Sequence, residues 1–468
     1  MKRPLLAAFF ALAFAPTVWA QNELSNFTAT GRGGVANTFV NEYQSIGINP
    51  ANLGRPNSAI FAFSIGEIGA GINSKSMTRK QLKKFVTATD EKLTPAQKQE
   101  FAAAFNNQDA LNLNVDFTGL AVSASLPGIG GIAFNNRQRI ATHVGLNKNG
   151  ADILFLGKDA PIFASYKEGD SINIRETLAP TAIQMSFLNE WNVAVGFSVL
   201  DQPGFKLQAG AGYRYIQGVG VLDVVVDNDK IVAYTALSPK FDVNYGDLVN
   251  NPSFNTADIG SGLFEPVGEG HGFDFGLAAE FNNKVKAGIA VTDLGNMTWR
   301  GHLLTAQNEY FQIVESEGIN SFNIFKEVAS IAGGEADGLF TYEPNKELKK
   351  KLPTKLRMGA GIKLSKKVET GVDVTLPLNE VAGNLITPFA GAGIDYLPVP
   401  QLRLSSGFST GAGYGKCIPL GVTFVTPNYE FGIATRDIIG VLTEENPYLS
   451  AAFGFLRFRF GLSDESAR

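Results

Sequence analysis

The sequence has little cysteine, histidine or charge, and each scarcity excludes a class of protein. Cys417 is the only cysteine among 468 residues, which excludes an internal disulfide framework and favours a passive small side chain over a reactive thiol. The three histidines lie far apart, at 143, 271 and 302, so we expect no metal site and no cofactor. Charged residues make up 18%, against about 25% in soluble domains.

Motifs for catalysis and for nucleic-acid binding are also missing. Segment 411–416 looks superficially like a phosphate-binding loop, but it lacks the required spacing and does not precede a helix. No nucleophile elbow or paired-carboxylate motif is present, so the chain is not expected to be an enzyme. The formal net charge of −4 is spread without a basic patch, and nucleic acid is therefore not an expected partner.

Long apolar runs are confined to the N-terminus. Lys2 and Arg3, an apolar centre over 5–14 and a small-residue cleavage site at 18–20 indicate a secretory signal peptide. No later stretch has the roughly 20 apolar residues that a membrane-spanning helix needs. We therefore predict an exported chain that does not cross a membrane with helices.

The chain is rich in alternating apolar and polar residues. Phe273, Phe275 and Leu277 fall on one face of a strand, whereas Asp274 and Glu280 fall on the other. Similar patterns recur along most of the chain. One apolar wall and one polar wall are typical of a transmembrane β-barrel, whose strands face lipid on one side and the lumen on the other. The expected location is a bacterial outer membrane.

We predict an all-β fold: an antiparallel transmembrane barrel of fourteen strands, an even number as bacterial single-chain barrels require. Tight turns alternate with longer connections. Sixteen strands are possible if 224–226 and 230–247 enter the wall; we interpret them as an extracellular hairpin. The predicted strands lie at about 58–73, 111–125, 128–139, 180–201, 205–222, 270–282, 284–300, 353–365, 367–377, 384–397, 400–411, 417–425, 427–436 and 449–461.

The segment before the first strand does not alternate, and it is turn-rich around Gly33 and Gly34. Its small residues, mixed with apolar ones, favour folding inside the lumen as a plug. The predicted organisation is a signal peptide at 1–20, a plug or hatch at 21–57, a barrel at 58–462 and a C-terminal tail at 463–468.

Helical segments are predicted in the extracellular loops, above all in loop 74–110. Thr94 and Pro95 form a helix start, and Phe101 and Phe105 lie four residues apart on one face. Such a helix either caps the barrel or presents an apolar groove to a ligand. The residues favour the cap.

Charge determines which side chains of each strand face the lumen, because a Lys or Arg that faces lipid at mid-bilayer costs ~2–4 kcal/mol. The lumen is therefore expected to carry both signs of charge, as a paired network that holds the plug or as solvated charges in a wet lumen. Phe453 and Phe455 are expected on the inner face of the last strand. The predicted lumen-facing polar residues are Lys206, Arg214, Asp274, Glu280, Lys355, Arg357, Glu369, Asp373, Arg457 and Arg459.

Three elements resemble a known family. They are Asn49-Pro50-Ala51 just before the first strand, segment 270–276 followed by 293–299, and segment 352–359. In this order they resemble the FadL-type long-chain fatty-acid transporters and their relatives, which include PorV-like proteins of the type IX secretion system. Segment 352–359 is similar to uncharacterised Bacteroidetes members of this group.

The resemblance implies a fourteen-stranded barrel with an N-terminal hatch, to which Asn49, Pro50 and Ala51 would belong. It also implies that apolar ligands are caught by extracellular loops, pass to an inner pocket and leave sideways into the bilayer. Two features depart from the FadL type: the long helical loop follows the first strand, and eight residues follow the terminal aromatic Phe460.

The sequence thus favours one function and leaves two alternatives. The first is a FadL-like channel for small hydrophobic compounds. The second is a PorV-like barrel that binds secreted or surface proteins through its loops, and the third is a plain diffusion porin. The expected partners are outer-membrane lipid together with either a small hydrophobic ligand or other surface proteins.

Overall fold

The computed structural model describes residues 24–461, except 57, 88–90, 107–110, 127, 166, 168–169, 228–230, 239–264, 307–309, 312–316, 322–339, 380, 382 and 386. The predicted signal peptide at 1–20 and the predicted tail at 463–468 lie outside the described residues.

Fourteen antiparallel strands form the wall, and the wall closes on itself. The first strand pairs with the last, from Phe61 opposite Phe460 to Asn73 opposite Tyr448, and every other wall strand pairs with its neighbours in chain order. The predicted fourteen-stranded barrel is confirmed. The strands are β1 Phe61–Asn73, β2 Leu111–Leu126, β3 Gly130–Gly145, β4 Thr181–Gln202, β5 Phe205–Val226, β6 Gly268–Phe281, β7 Val285–Ala306, β8 Lys355–Lys363, β9 Val368–Pro377, β10 Phe389–Val399, β11 Leu402–Gly411, β12 Leu420–Val425, β13 Tyr429–Thr435 and β14 Tyr448–Phe460.

Shorter strands extend this wall at its extracellular end. Ile231–Leu237 pairs with the end of β5, beyond the residues at which β5 pairs with β6, and its residues 233–235 pair with the end of β7. This strand therefore lies above β6, between β5 and β7; residues 228–230 and 239–247 of the predicted hairpin lie outside the described residues. Phe340–Lys351 pairs with the end of β7 and runs directly towards β8. Sequence reasoning missed this strand, because a run of lysines at 349–351 hides the alternation. Lys416–Cys417 pairs with β11, and Ile172–Asn173 pairs with Tyr310–Phe311.

Short helices occupy the plug and the connections. The α-helices are α1 Phe27–Gly31, α2 Arg79–Thr87, α3 Pro95–Phe105, α4 Lys148–Leu156, α5 Ile174–Leu178 and α6 Ile438–Leu442. The 3-10 helices are Glu42–Ser45, Pro50–Gly54, Gly157–Asp159 and Pro161–Ser165. No helix among the described residues is long and apolar enough to cross a membrane.

The outer surface of the wall is apolar. Large side chains on alternate positions point away from the barrel and are exposed; examples are Phe275 at 52%, Phe197 at 53% and Ile433 at 51%. A contiguous apolar band is stable in hydrocarbon, and ring closure satisfies the backbone polar groups that lipid cannot bond. The barrel is therefore an outer-membrane protein.

Helices cover the extracellular ends of the first strands. By alternation, three residues of these strands should face lipid, namely Leu111, Val144 and Ile183. Each of them is buried instead, because Phe101 and Phe105 of α3 and Phe155 of α4 pack against them in one apolar cluster. Phe105 and Phe155 lie 5.0 Å apart between ring centroids. The face of α3 that carries its phenylalanines is thus occupied, which is the cap arrangement and not an open groove.

One prediction about facing is wrong. Glu430 of β13 pairs with Arg457 of β14, but Gly432 pairs with Gly454, so β14 contains one extra residue. This β-bulge reverses the facing of the strand. Phe453 and Phe455 therefore lie on the outer face, with Phe455 54% exposed, while Arg457 turns inward with 3% exposure. Strict alternation cannot anticipate an inserted residue.

The wall is much taller on one side than on the other. Strands β4, β5 and β7 contain 22 residues each, whereas β12 contains 6 and β13 contains 7. In a ring of fourteen strands, β5 lies opposite β12.

Candidate functional site

The lumen contains three layers, which are clearest along the tall strands. From the extracellular end these layers are a cavity, a layer of buried ions and the N-terminal segment. On β5 they are represented by Asp223, Arg214 and Gly210, and on β7 by Trp299, Asp293 and Gly288. We call residues 24–56 the plug, because nearly all of them are buried against the inner face of the wall.

The plug is held first by the turn at Asn49. The Asn49 side chain accepts a hydrogen bond from Ala51 N (3.1 Å), and Pro50 occupies the first position of the following 3-10 helix, where no backbone donor is needed. The Asn49 amide nitrogen donates to Asn37 Oδ1 (2.8 Å) and to the carbonyl of Leu277 on β6 (3.1 Å). The same side chain therefore shapes the turn and attaches it to the wall.

A set of wall glycines receives this turn. We call it the glycine seat. A Cβ on Gly210 would lie 2.4 Å from the carbonyl carbon of Pro50, and one on Gly276 would lie 2.0 Å from Asn49 Oδ1. Real Cβ contacts are longer than this, so only glycine permits the plug to come so close to the wall. The seat consists of Gly196, Gly210, Gly276 and Gly288.

Carboxylates of the wall bind the first half of the plug. Asp373 of β9 accepts hydrogen bonds from the backbone nitrogens of Ala36 (2.7 Å) and Asn37 (2.8 Å). Asp395 of β10 forms a 2.7 Å ion pair with Arg32, and both side chains are buried. Both carboxylates are buried, and hydrogen bonds to ions are stronger than neutral ones.

Glu42 forms the most heavily charged contact between plug and wall. Arg457 Nη2 lies 3.0 Å from Glu42 Oε2, and Arg459 Nε donates to Glu42 Oε1 (2.8 Å). Glu430 bonds both arginines from β13. Burial alone would raise the pKa of Glu42, but Arg459 and Arg457 outweigh it and hold this pKa below its ordinary value of 4.5. Glu42 is therefore ionised and paired at neutral pH.

Above the plug lies a layer of buried ions organised by a bulge in β7. Phe273 pairs with Leu294 and Phe275 with Val291, so β7 has one extra residue here. Asp293, with φ of +60°, is thereby turned into the lumen. Arg214 lies 2.5 Å from Asp293 and 3.2 Å from Asp274. The layer comprises Arg139, Glu190, Arg214, Asp274, Asp293, Lys355 and Arg357, all at most 8% exposed.

The cavity occupies the extracellular part of the lumen and has a volume of about 400 Å³. Its lining is mostly apolar and includes Leu188, Val221, Met297, Trp299 and Leu352. Polar residues also contribute to its wall: Thr142, His143, Gln184, Ser186, Asp223, Lys349, Lys350 and Lys351. An apolar chamber with converging polar groups is the usual form of a small-molecule site.

The structure brings the predicted residues together in two groups. Asn49, Pro50 and Ala51 form the seated turn, while Gly33 and Gly34 lie in the first part of the plug, both with positive φ. Arg214, Asp274, Lys355 and Arg357 share the ion layer, whereas Arg457, Arg459 and Asp373 bind the plug. Near the periplasmic turns, Glu280 is buried opposite the half-buried Lys206 in the register, and Glu369 forms a 2.8 Å pair with Lys286.

Sequence reasoning missed three functional candidates. Glu42 lies in a stretch without periodicity, and nothing local marks it as an anchor. Asp293 lies in a family element, but its inward facing depends on the bulge, so alternation alone does not place it in the lumen. The glycine seat did leave a signal, because glycines recur at inward positions of neighbouring strands.

Cys417 lies between β11 and β12 and is buried. Burial raises the pKa of its thiol to about 11. Because the thiolate is the reactive form, we expect N-ethylmaleimide at pH 8 to label the folded barrel far more slowly than the unfolded chain. Intact-mass spectrometry over time, with a urea-unfolded sample as control, checks this. Equal labelling rates would contradict it.

No group of three or more His, Cys, Asp or Glu side chains within the described ranges could hold a metal ion.

No curated protein matches the chain. Among solved structures, the chain is similar to the toluene transporter TbuX of Ralstonia pickettii, with 12% identity and a TM-score of 0.48 over 94% of this chain and 99% of TbuX. It is also similar to a Pseudomonas aeruginosa FadL homologue, with 13% identity and a TM-score of 0.45 over 96% of this chain and 100% of that one.

A third similar structure is the toluene transporter TodX of P. putida, with 10% identity and a TM-score of 0.43 over 94% of this chain and 97% of TodX. The fold of this chain is established by its own strand pairing. In sequence, residues 50–415 match the family described as "Family of unknown function (DUF5723)". Because this match covers most of the chain, the protein belongs to the DUF5723 family.

Proposed function

We propose that the barrel admits small, mostly apolar molecules across the outer membrane, through the cavity and past the plug. The observation that carries this proposal is the cavity of about 400 Å³, which lies on the extracellular side of the plug. Pockets of about 300–1,000 Å³ are the size that holds small ligands.

The composition of the cavity supports an apolar cargo. Met297 and Trp299 are each 3% exposed and belong to one apolar cluster with Val221 and Leu352. Removing apolar surface from water is favourable by about 25 cal/mol per Å². A hydrated ion or a sugar would gain nothing from this apolar part of the lining, which favours hydrophobic molecules over the usual cargo of a diffusion porin.

In this proposal the plug serves as a hatch. Asn49, Pro50 and Ala51 occupy the glycine seat beneath the ion layer, and Gly33 and Gly34 provide backbone conformations that other residues rarely adopt. A molecule that leaves the cavity towards the periplasm must displace part of this segment. The hydrogen bonds and ion pairs described above supply the resistance, and they can re-form after passage.

The proposal is tested by filling the cavity. Ser186→Trp places a large ring inside it, whereas Val372→Trp places the same ring on the lipid face, where Val372 is 52% exposed. In cells that carry the barrel in the outer membrane, we expect uptake of the hydrophobic probe N-phenyl-1-naphthylamine to fall to the level of barrel-free cells with Ser186→Trp. Val372→Trp should keep wild-type uptake.

Equal uptake in all strains, with similar amounts of folded barrel, would overturn the proposal. Such a result combined with specific co-purification of surface proteins would favour the PorV-like alternative.

A further inference from the structure

The strand Phe340–Lys351 has one paired edge and one open edge, and we call it the edge strand. Among the described strands, only β7 pairs with it. On its other side the wall drops, because the pairing of β8 with β9 stops at Lys355 opposite Pro377. The tall part of the wall therefore ends, on the extracellular side, in a free strand edge.

A hydrogen bond determines which backbone groups point to the open side. Leu352 N, directly after the edge strand, donates to the carbonyl of Gly295 on β7 (3.0 Å). In an antiparallel ladder alternate residues bond the same neighbour, so the residues two and four positions before Leu352 also face β7. The intervening residues turn their N–H and C=O groups to the open side, where no described residue bonds them. They are Glu347, Lys349 and Lys351.

The outer face of this edge is positively charged. Lys349 and Lys351 are exposed and point away from the lumen, by alternation with Leu348, which packs against the apolar cluster of the cavity. Glu347 shares the outer face, but it pairs with Arg300 of β7 (3.4 Å). No acidic group in the described part of the chain forms an ion pair with either lysine. The open edge thus presents two ammonium groups at alternate positions.

These features define a partner. We propose that the edge strand binds an extended acidic segment of another protein at the cell surface, which joins the sheet as an additional antiparallel strand. Its backbone would bond the open side at Glu347, Lys349 and Lys351. Residues directly opposite each other in such a pair share a face, so carboxylates at alternate positions would meet the two lysines.

The inner side of the same edge adds a second requirement. Residues 349–353 belong to the lining of the cavity, so the cavity borders this edge. The positions between the carboxylates would face inward, towards Leu348, where apolar side chains are favoured. A second copy of this barrel would place lysine opposite lysine, which is destabilising, so the occupant is a different chain. The inference does not depend on what the cavity admits.

Fluorescently labelled peptides test the proposal on the full barrel in detergent. The probe consists of four Val-Asp repeats, and fluorescence anisotropy measures its binding. The matched control consists of four Val-Lys repeats, which keep the alternation and reverse the charge. We expect the acidic peptide to bind roughly tenfold or more tightly than the basic one, because each cross-strand charge pair changes from attraction to repulsion.

N-methylation separates strand pairing from attraction between charges. Aspartates opposite Lys349 and Lys351 would donate their N–H groups to the edge strand, whereas the N–H groups of the valines would point away from it. Methylation of the aspartate nitrogens should therefore abolish binding. Methylation of the valine nitrogens should leave the affinity within about twofold, since those donors are not used in the pairing.

Charge reversal in the barrel provides the reciprocal test. The double change Lys349→Glu and Lys351→Glu should reverse the preference, so that the basic peptide binds more tightly than the acidic one. The control is Lys80→Glu with Lys83→Glu, which alters the net charge equally at two exposed positions of α2, and it should keep the wild-type preference.

Three results would overturn the proposal. The first is equal binding of the acidic and basic peptides, and the second is an equal effect of methylation at aspartate and at valine. The third is absence of binding by both peptides, which would assign the lysines to protection of the edge against strand addition. The first two comparisons use the wild-type barrel, so they do not require any variant to fold.

Discussion

Glu42→Gln is expected to destabilise the seated plug more than any other single change of one polar group. It leaves Arg457 and Arg459 buried, with 3% of Arg457 exposed, and with Glu430 as their shared carboxylate. Removing one partner of a buried ion pair typically costs about 3–5 kcal/mol. The measurement is the temperature at which the purified barrel loses its folded mobility in detergent gels.

The stability that Glu42 contributes to the barrel should fall as the pH is lowered. Since the pKa of Glu42 is held below 4.5 in the folded state, its contribution is complete above pH 4.5 and is lost as pH falls through the folded-state pKa. Wild-type barrel should therefore lose stability in strong acid more steeply than Glu42→Gln.

Glu444→Gln serves as the control for Glu42→Gln. This carboxylate pairs with Arg79 at the surface, where the Glu444 side chain is 54% exposed. Its loss should therefore change the melting temperature little. A Glu42→Gln barrel as stable as Glu444→Gln would show that the plug does not depend on this anchor.

Gly210→Ala should displace the plug by steric pressure. The added Cβ would lie 2.4 Å from the carbonyl carbon of Pro50 and 2.5 Å from Ala51 N, and both are backbone atoms that cannot rotate away. Overpacking of this kind costs roughly 1–3 kcal/mol. We expect a lower melting temperature and faster cleavage of the plug segment by added protease, because the displaced turn becomes accessible.

The same strand provides the control for Gly210→Ala. Gly212 also faces the lumen, but a Cβ there would meet its nearest neighbour, Asp274 Cβ, at 3.4 Å, an ordinary contact. Gly212→Ala should therefore melt and resist protease like wild type. Identical behaviour of the two variants would contradict the assignment of Gly210 to the seat.

The strand pattern of this protein could be predicted because lipid and lumen impose opposite requirements on alternate residues. Phe273, Phe275 and Leu277 have no place other than the lipid face, and the wall strands follow from repeating that argument. The number of strands was accessible in this way, and the cap formed by α3 was accessible from the helical spacing of Phe101 and Phe105.

Features that depend on local departures from alternation could not be predicted. The bulge at Phe455 reverses the facing of β14, and the bulge at Asp293 brings this carboxylate to Arg214. Neither bulge has a distinct sequence signal.

The unequal height of the wall has a consequence for how the molecule sits at the cell surface. Hydrocarbon is crossed by about 9–11 tilted residues, so roughly half of each 22-residue strand stands above the bilayer, whereas β12 and β13, with 6 and 7 residues, are shorter than that span. The rim is thus slanted. On the low side of the rim, helix α6 exposes Ile439 at 47% and Leu442 at 70%. Exposed apolar side chains of this size are unfavourable in a loop surrounded by water. Contact of that edge with the outer leaflet would account for their exposure.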